Sequence, residues 1–311
     1  MNKKIIWALS ILICLPLMSS AQLKTLVDMK KEYSGISHIE IENSMLAVNY
    51  VGKANTATID LEAFLESNND QGQDIVFVTI GNTLKIKYKS NSQNFNNSNQ
   101  KTKGHINMTG PENMKITLSS SSGTVSLNNI HSERTSLKVS SGNLNLSNIK
   151  SEVSLTGSSG RIKAHNITGA VKCKISSGSV DLNNIDGPVD FSSSSGRLTA
   201  KDIRGKVDLS LSSGSVSLEN VAELGNLSLS SGSIKAENAG IGANTRLNGS
   251  SGSIRIKTPT ALNLYNYNLN AGSGSLRVGD VSKAKHLEIN NYSQNTIMGN
   301  IGSGMIAIVN E

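Results

Sequence analysis

Cysteine, proline and aromatic residues are all scarce in this chain. Its 311 residues include 2 Cys, 4 Pro and 1 Trp, and aromatics make up 4%. So few prolines exclude a collagen-like rod. No internal apolar run reaches the roughly 18 residues of a spanning helix, which excludes a polytopic membrane protein. One cysteine, Cys14, lies in an N-terminal leader, so the chain beyond it holds only Cys173. No internal disulfide is then possible, and stability must come from packing and backbone hydrogen bonds. Charged residues are 17% and the formal charge is +7, a mild bias spread along the chain that does not point to nucleic acid.

What is present in excess is small and polar: 48 Ser, 36 Asn and 28 Gly. Such a composition suits disorder, but Val, Ile and Leu remain plentiful and regularly placed, which disordered chains lack. Residues 1–21 read as a signal peptide. Lys3 and Lys4 precede an apolar stretch from Ile5 to Met18, and Ser19-Ser20-Ala21 supplies the small residues of a cleavage site. The expected product is exported to the periplasm or the outer cell surface and does not span the membrane after cleavage. Pro16 and the shortness of the run argue against a retained anchor. Ile13 in front of Cys14 argues against a lipoprotein.

The second half of the chain repeats. Ser-Ser-Gly recurs with glycines at Gly123, Gly142, Gly160, Gly178, Gly196, Gly214, Gly232 and Gly252, most of them 18 apart. Two and four residues after each glycine stand apolar side chains, such as Val125 and Leu127, Ile162 and Ala164, or Val180 and Leu182, with a polar residue between. That alternation marks a half-buried strand. Next comes an asparagine position, occupied by Asn129, Asn148, Asn166, Asn184, Asp202, Asn220 and Asn238, and then an apolar one, Ile130 to Ala239. A second alternating strand follows, for example Val171-x-Cys173-x-Ile175, which makes Cys173 an inward, apolar thiol.

A unit of this kind cannot bury its apolar face alone, and stacking copies in register makes a continuous core. The expected fold is therefore all-β, a single-stranded parallel β-helix (β-solenoid), right-handed, with about 18 residues per coil. Equivalent strands would lie about 4.8 Å apart. The asparagines would form a ladder of side-chain amides, which carry both donors and an acceptor. Asp202 lacks the donor and should weaken one step. The turn glycines are expected to adopt positive φ, and the serines to satisfy turn backbone groups.

The unit S-S-G-x-[VIL]-x-[LA]-x-N-I-x-G, clearest from Gly123 to Val281, resembles the bacterial putative-adhesin family of β-strand-repeat proteins, a family of unknown function. It is also similar to the related auto-transporter adhesin heads. The resemblance implies an exported parallel β-helix with an adhesion or envelope role and no established catalytic site. Family repeats often carry Asp after the turn glycine. Here that position holds residues such as Thr124, Asn143, Arg161 and Ser179, which speaks against cation binding at this turn.

Residues 22–110 are expected to form an irregular β region and cap, with a mobile polar loop at 90–103, and residues 111–311 the solenoid repeats. Within the cap, His38 to Asn43 echoes the repeat with Asn43 at the bend. Asp74 to Ile80 and Thr83 to Lys89 form a hairpin through Gly81-Asn82. At the far end, Gly304 to Glu311 starts a new coil with Ile306 and Ile308 inward, leaving a half-made edge.

The scattered histidines, the lack of a G-x-S-x-G elbow and the lack of a Cys/His cluster predict no catalytic residue, no cofactor and no metal. A polysaccharide lyase-like enzyme on a β-helix is the alternative, but no carboxylate pair stands out. An envelope-stress accessory protein is a third possibility. Two places suit contact with a ligand. Lys85, Lys87 and Lys89 share one strand face and suit an anionic envelope polymer, unless they merely protect a sheet edge. Tyr265 and Tyr267 suit a sugar ring, unless they pack in a cap. Arg255, Lys257 and Arg277 add a basic end. The partner expected is an unidentified cell-surface or envelope polymer or protein.

Overall fold

The computed structural model describes residues 23–69, 72–90 and 101–310. The expected signal peptide, 1–21, and residues 91–100 of the expected loop lie outside them, whereas Thr102 and Lys103 of that loop begin a strand.

The alternating segments pair as parallel strands at the repeat distance. Strands β9 (Thr124–Val139), β10 (Asn143–Gly157), β11 (Arg161–Thr168), β13 (Ser179–Asp186), β15 (Arg197–Leu211), β16 (Ser215–Leu229) and β17 (Ser233–Thr258) stack so that Val125, Leu144, Ile162, Val180, Leu198, Val216 and Ile234 form one column. On a second wall, β12 (Val171–Ile175) and β14 (Val189–Ser193) lie between β10 and β15, aligning Leu155, Cys173, Phe191 and Leu209. All these side chains are buried, and the residues between them face outward. Their burial is the main driving force, at roughly 25 cal/mol per Å² of apolar surface.

The bend between the walls explains its asparagines twice over. Asn129, Asn148, Asn166, Asn184, Asp202, Asn220 and Asn238 all have φ between +49° and +57°. Asn and Asp are the non-glycine residues that tolerate this left-handed backbone best. Their side chains also join coil to coil. Nδ2 of Asn148 donates to Oδ1 of Asn129 (3.2 Å), that of Asn166 to Asn148 (2.9 Å) and that of Asn184 to Asn166 (2.6 Å). Beyond Asp202 the series resumes, with Asn220 donating to Asp202 and Asn238 to Asn220, both at 2.8 Å. Among the described residues no hydrogen bond joins Asp202 to Asn184, the step at which a carboxylate has no proton to give.

The Ser-Ser-Gly turns stack mainly through their backbones, with serine hydroxyls adding bonds at two of them. Oγ of Ser122 donates to the carbonyl of Ser44 (3.1 Å), and the N–H of Gly196 donates to Oγ of Ser193 (2.6 Å). The N–H of Ser177 donates to the carbonyl of Ser158, and that of Ser159 to Ser140, both at 2.7 Å. Glycine is required mainly by this stacking. A Cβ at Gly178 would fall on the carbonyl oxygen of Gly160 in the neighbouring coil, and Gly160 stands in the same relation to Gly142. The expected positive φ occurs only in later turns, at Gly214 (+130°), Gly232 (+114°) and Gly252 (+130°).

Both ends depart from a single parallel helix, which corrects that expectation. Near the N-terminus, β3 (Ala47–Lys53) lies between β9 and β7 (Thr102–Pro111), and β2 (His38–Asn43) lies between β8 (Lys115–Ser120) and β6 (Thr83–Lys89). The regular coils thus continue onto residues 38–53 and bypass the intervening segment. Antiparallel strands close this end: β4 (Thr58–Ser67) on β7, β1 (Lys24–Ser34) on β4, and β5 (Asp74–Ile80) on β6 through the expected hairpin. Asn43 aligns with Ser120, the last residue of β8 before the Ser-Ser-Gly turn, not with the bend asparagines, and its amide holds Leu46.

At the other end, β21 (Thr296–Asn310) does not form an open half-coil. It inserts between β17 and β18 (Asn266–Val278), with Ile254, Ile306 and Leu276 in one row. Strand β18 becomes the outer coil, and β19 (Val281–Lys283) and β20 (His286–Ile289) cover it antiparallel. Antiparallel returns need only short connections and occupy backbone groups that would otherwise invite another chain. Among the described residues no helix is long and apolar enough to cross a membrane, which says nothing of strands.

Candidate functional site

The outward face of the regular coils is polar, carrying residues such as Asn145, Lys163, Asp181, Thr199 and Ser217. Strand β21 breaks this pattern. Its inward residues are Ile306 and Ile308, and its outward residues Met305, Ala307 and Val309 are apolar as well and half-buried. Insertion between β17 and β18 places cations on both sides of them. Arg255, Ala307 and Arg277 stand directly opposite one another, in a row across three parallel strands. At the usual strand spacing the two arginine Cα atoms are about 10 Å apart. Lys257 stands opposite Val309.

These residues, with Lys235, Glu237, Ser275 and Ser282, line a groove of about 380 Å³. Glu237 pairs with Lys235 at 2.9 Å and lies 3.8 Å from Lys257. The hydrogen bond from Lys235 holds its carboxyl below the usual range, so it stays ionised. The arginines have neutral partners. Nη1 of Arg255 donates to Oγ of Ser253 (3.0 Å), and Nε of Arg277 to the carbonyl of Gly279 (2.8 Å). Among the described residues neither has a carboxylate partner. Among the described residues four cations thus face one carboxylate over an apolar floor, an arrangement that attracts anions and offers guanidinium forks to a phosphate or carboxylate.

Two other grooves do not concentrate one sign of charge. One of about 610 Å³ near the N-terminus is lined by Lys30 and Lys31 but also by Glu32, Asp60 and Glu62. Another of about 770 Å³ contains Arg134, paired with Glu152 at 3.0 Å, and His131, 3.3 Å from Glu112. Among the described residues no cluster of three or more His, Cys, Asp or Glu could hold a metal ion.

The ligand contacts expected from the sequence are placed differently. Strand β6 is paired on both sides, so it is not an edge. Lys85 pairs with Glu40 (2.8 Å) and Lys87 with Glu42 (2.6 Å), which neutralises most of the stripe. Lys89 lies opposite Asp74. Tyr267 is 1% exposed, and burial pushes its hydroxyl up to about 12. Tyr265 is half-buried, and its hydroxyl donates to the carbonyl of Ile241 (3.2 Å). Tyr267 therefore presents no face to a sugar, and Tyr265 serves the cap. The exposed tyrosine is Tyr292, 93% exposed with φ +59°, held by a bond from its N–H to Oδ1 of Asn290. Cys173 is 1% exposed, and burial, with Asp190 nearby, pushes its thiol up to about 12. The groove's arginines were legible as a basic end, but its floor was not. The signal was there, three apolar residues at outward positions, but it needs the neighbours of β21 to acquire meaning.

Comparison with solved structures finds distant likenesses. A "putative adhesin" from Bacteroides fragilis is 14% identical, with a TM-score of 0.38 over 93% of this chain and 98% of its own. A "putative lipid binding protein" from Parabacteroides distasonis is 17% identical, with a TM-score of 0.49 over the same shares. A "putative cell adhesion protein" from Clostridium sporogenes is 10% identical, with a TM-score of 0.19 over 92% of this chain and 100% of its own. No curated protein matches the chain. The model of the family described as Toastrack DUF4097 matches residues 36–207 and 170–308, and the chain belongs to that family.

Proposed function

We propose that this chain is an exported, non-enzymatic scaffold of the cell envelope that works in the manner of an adhesin, holding an anionic envelope component in the groove over β21. The observation that carries this reading is the row Arg255–Ala307–Arg277, in which two guanidiniums, with no carboxylate partner among the described residues, flank a small side chain. The regular coils act as a spacer. We read them as a single-stranded β-helix wound right-handedly, the hand that parallel crossovers take. The likeness to auto-transporter adhesin heads rests on the repeat unit alone.

The test is retention of the purified exported chain on envelope fractions, at low and at high salt. The expected result is binding that weakens with salt and falls about tenfold or more in Arg255→Glu/Arg277→Glu. Equal retention of wild type and the double variant would remove the groove from the function. Turnover of a polysaccharide would overturn the non-enzymatic reading.

A further inference from the structure

The floor of the groove says what kind of anion belongs there. A site for a hydrophilic polyanion needs cations and hydrogen-bonding groups, and the outward lattice of Ser, Asn, Thr and Lys supplies both on most coils. Among the described parallel strands only β21 has three successive apolar outward positions, Met305, Ala307 and Val309. The antiparallel cap strand β5 also turns Val76, Val78 and Ile80 outward, but beside Lys85 and Lys87, which Glu40 and Glu42 neutralise. Inward Ile306 and Ile308 already serve the core, so the outward three add nothing to it. Alternate residues on an extended strand are about 6.6 Å apart, so the three floor side chains span roughly 13 Å in a line. The groove's volume, about 380 Å³, lies in the range of small-molecule sites, which are mostly apolar with a few placed polar groups.

We infer that the ligand is an anionic amphiphile, with an acyl chain laid along Met305, Ala307 and Val309 and a terminal phosphate or carboxylate held between Arg255 and Arg277. This rests on the proposed anion-binding role of the groove and specifies its ligand. Arg255 and Arg277 contribute twice: their methylene stems wall the chain, and their guanidiniums meet the headgroup. Lys257, opposite Val309, adds charge at one end of the groove, and Ala307, the smallest of the floor residues, leaves room between the arginines.

The experiment is titration calorimetry of the purified exported chain with dodecyl phosphate below its micelle threshold, ethyl phosphate, dodecyl maltoside and dextran sulfate. The inference expects dodecyl phosphate to bind at least about tenfold more tightly than ethyl phosphate or dodecyl maltoside. Ala307→Lys, which puts a charge on the floor, should lower the affinity for dodecyl phosphate relative to dextran sulfate at least about tenfold. Arg255→Ser/Arg277→Ser should weaken both. All these side chains face outward, and an unchanged thermal midpoint shows that the variants fold. Ethyl phosphate or dextran sulfate binding as tightly as dodecyl phosphate, with Ala307→Lys indifferent, would overturn the acyl chain and leave the anion site standing. Failure of every anionic probe would overturn the anion site itself.

Discussion

Asn166 holds φ at +56° and shares its side-chain amide with the coils on either side. The same residue type thus meets a backbone demand and a packing demand, which is why Asn recurs here rather than Gly, which would meet only the first. Asp202 meets the backbone demand and half of the other. It accepts from Asn220 but cannot donate toward Asn184. Asp202→Asn should therefore complete the ladder and stabilise the chain by about 1 kcal/mol. Urea unfolding with an unchanged m-value would measure it, and a loss of stability would show that the carboxylate has a role of its own.

Strands acquire their meaning from their neighbours. Ile306, Ile308 and Asn310 fall where the inward and bend residues of any first strand of a coil fall, yet β21 is paired on both edges, by β17 and β18. Deleting residues 296–310 would expose an edge of β17 and an edge of β18 at once. The expected result is concentration-dependent self-association, seen by sedimentation, because unpaired parallel edges are templates for other chains. A truncated chain that stays monomeric would show that β17 and β18 close on each other. Strand β6 makes the same point in reverse. Its lysines resemble those that protect an edge, but β2 and β5 occupy both sides, and the glutamates of β2 pair with Lys85 and Lys87. Such exposed pairs contribute little to stability and much to keeping that face neutral.

Across the whole molecule, stability is a sum of nearest-neighbour contacts along the stack. Ile185 is fully buried, and its column continues through Ile167 and Ile203. Ile185→Asp puts an unpaired carboxylate there, which costs about 4 kcal/mol or more. Because each coil touches only its neighbours, the damage should be local. Hydrogen exchange should show protection lost around residues 161–211 and kept near both caps. Uniform loss of protection would mean that the stack behaves as one cooperative unit. The antiparallel end strands matter at this scale, since they replace the parallel edges on which a further coil would stack and so oppose growth into a fibre.

The repeat alone determined the all-β character, the inward columns, the bend asparagines and the weak step at Asp202, because each of these follows from local periodicity and from what one side chain can donate or accept. It could not order the coils at the ends. Residues 38–53, 254–256, 276–278 and 304–308 all carry similar alternating patterns, and any of them could stack on any other. Which pairs form depends on long-range closure and on covering the last edges, and these are properties of the assembled stack. The groove over β21 belongs to this second class. Arg255, Ala307 and Arg277 are far apart in the chain, and they become one site only because the strand that carries the apolar floor is inserted between the strands that carry the charges.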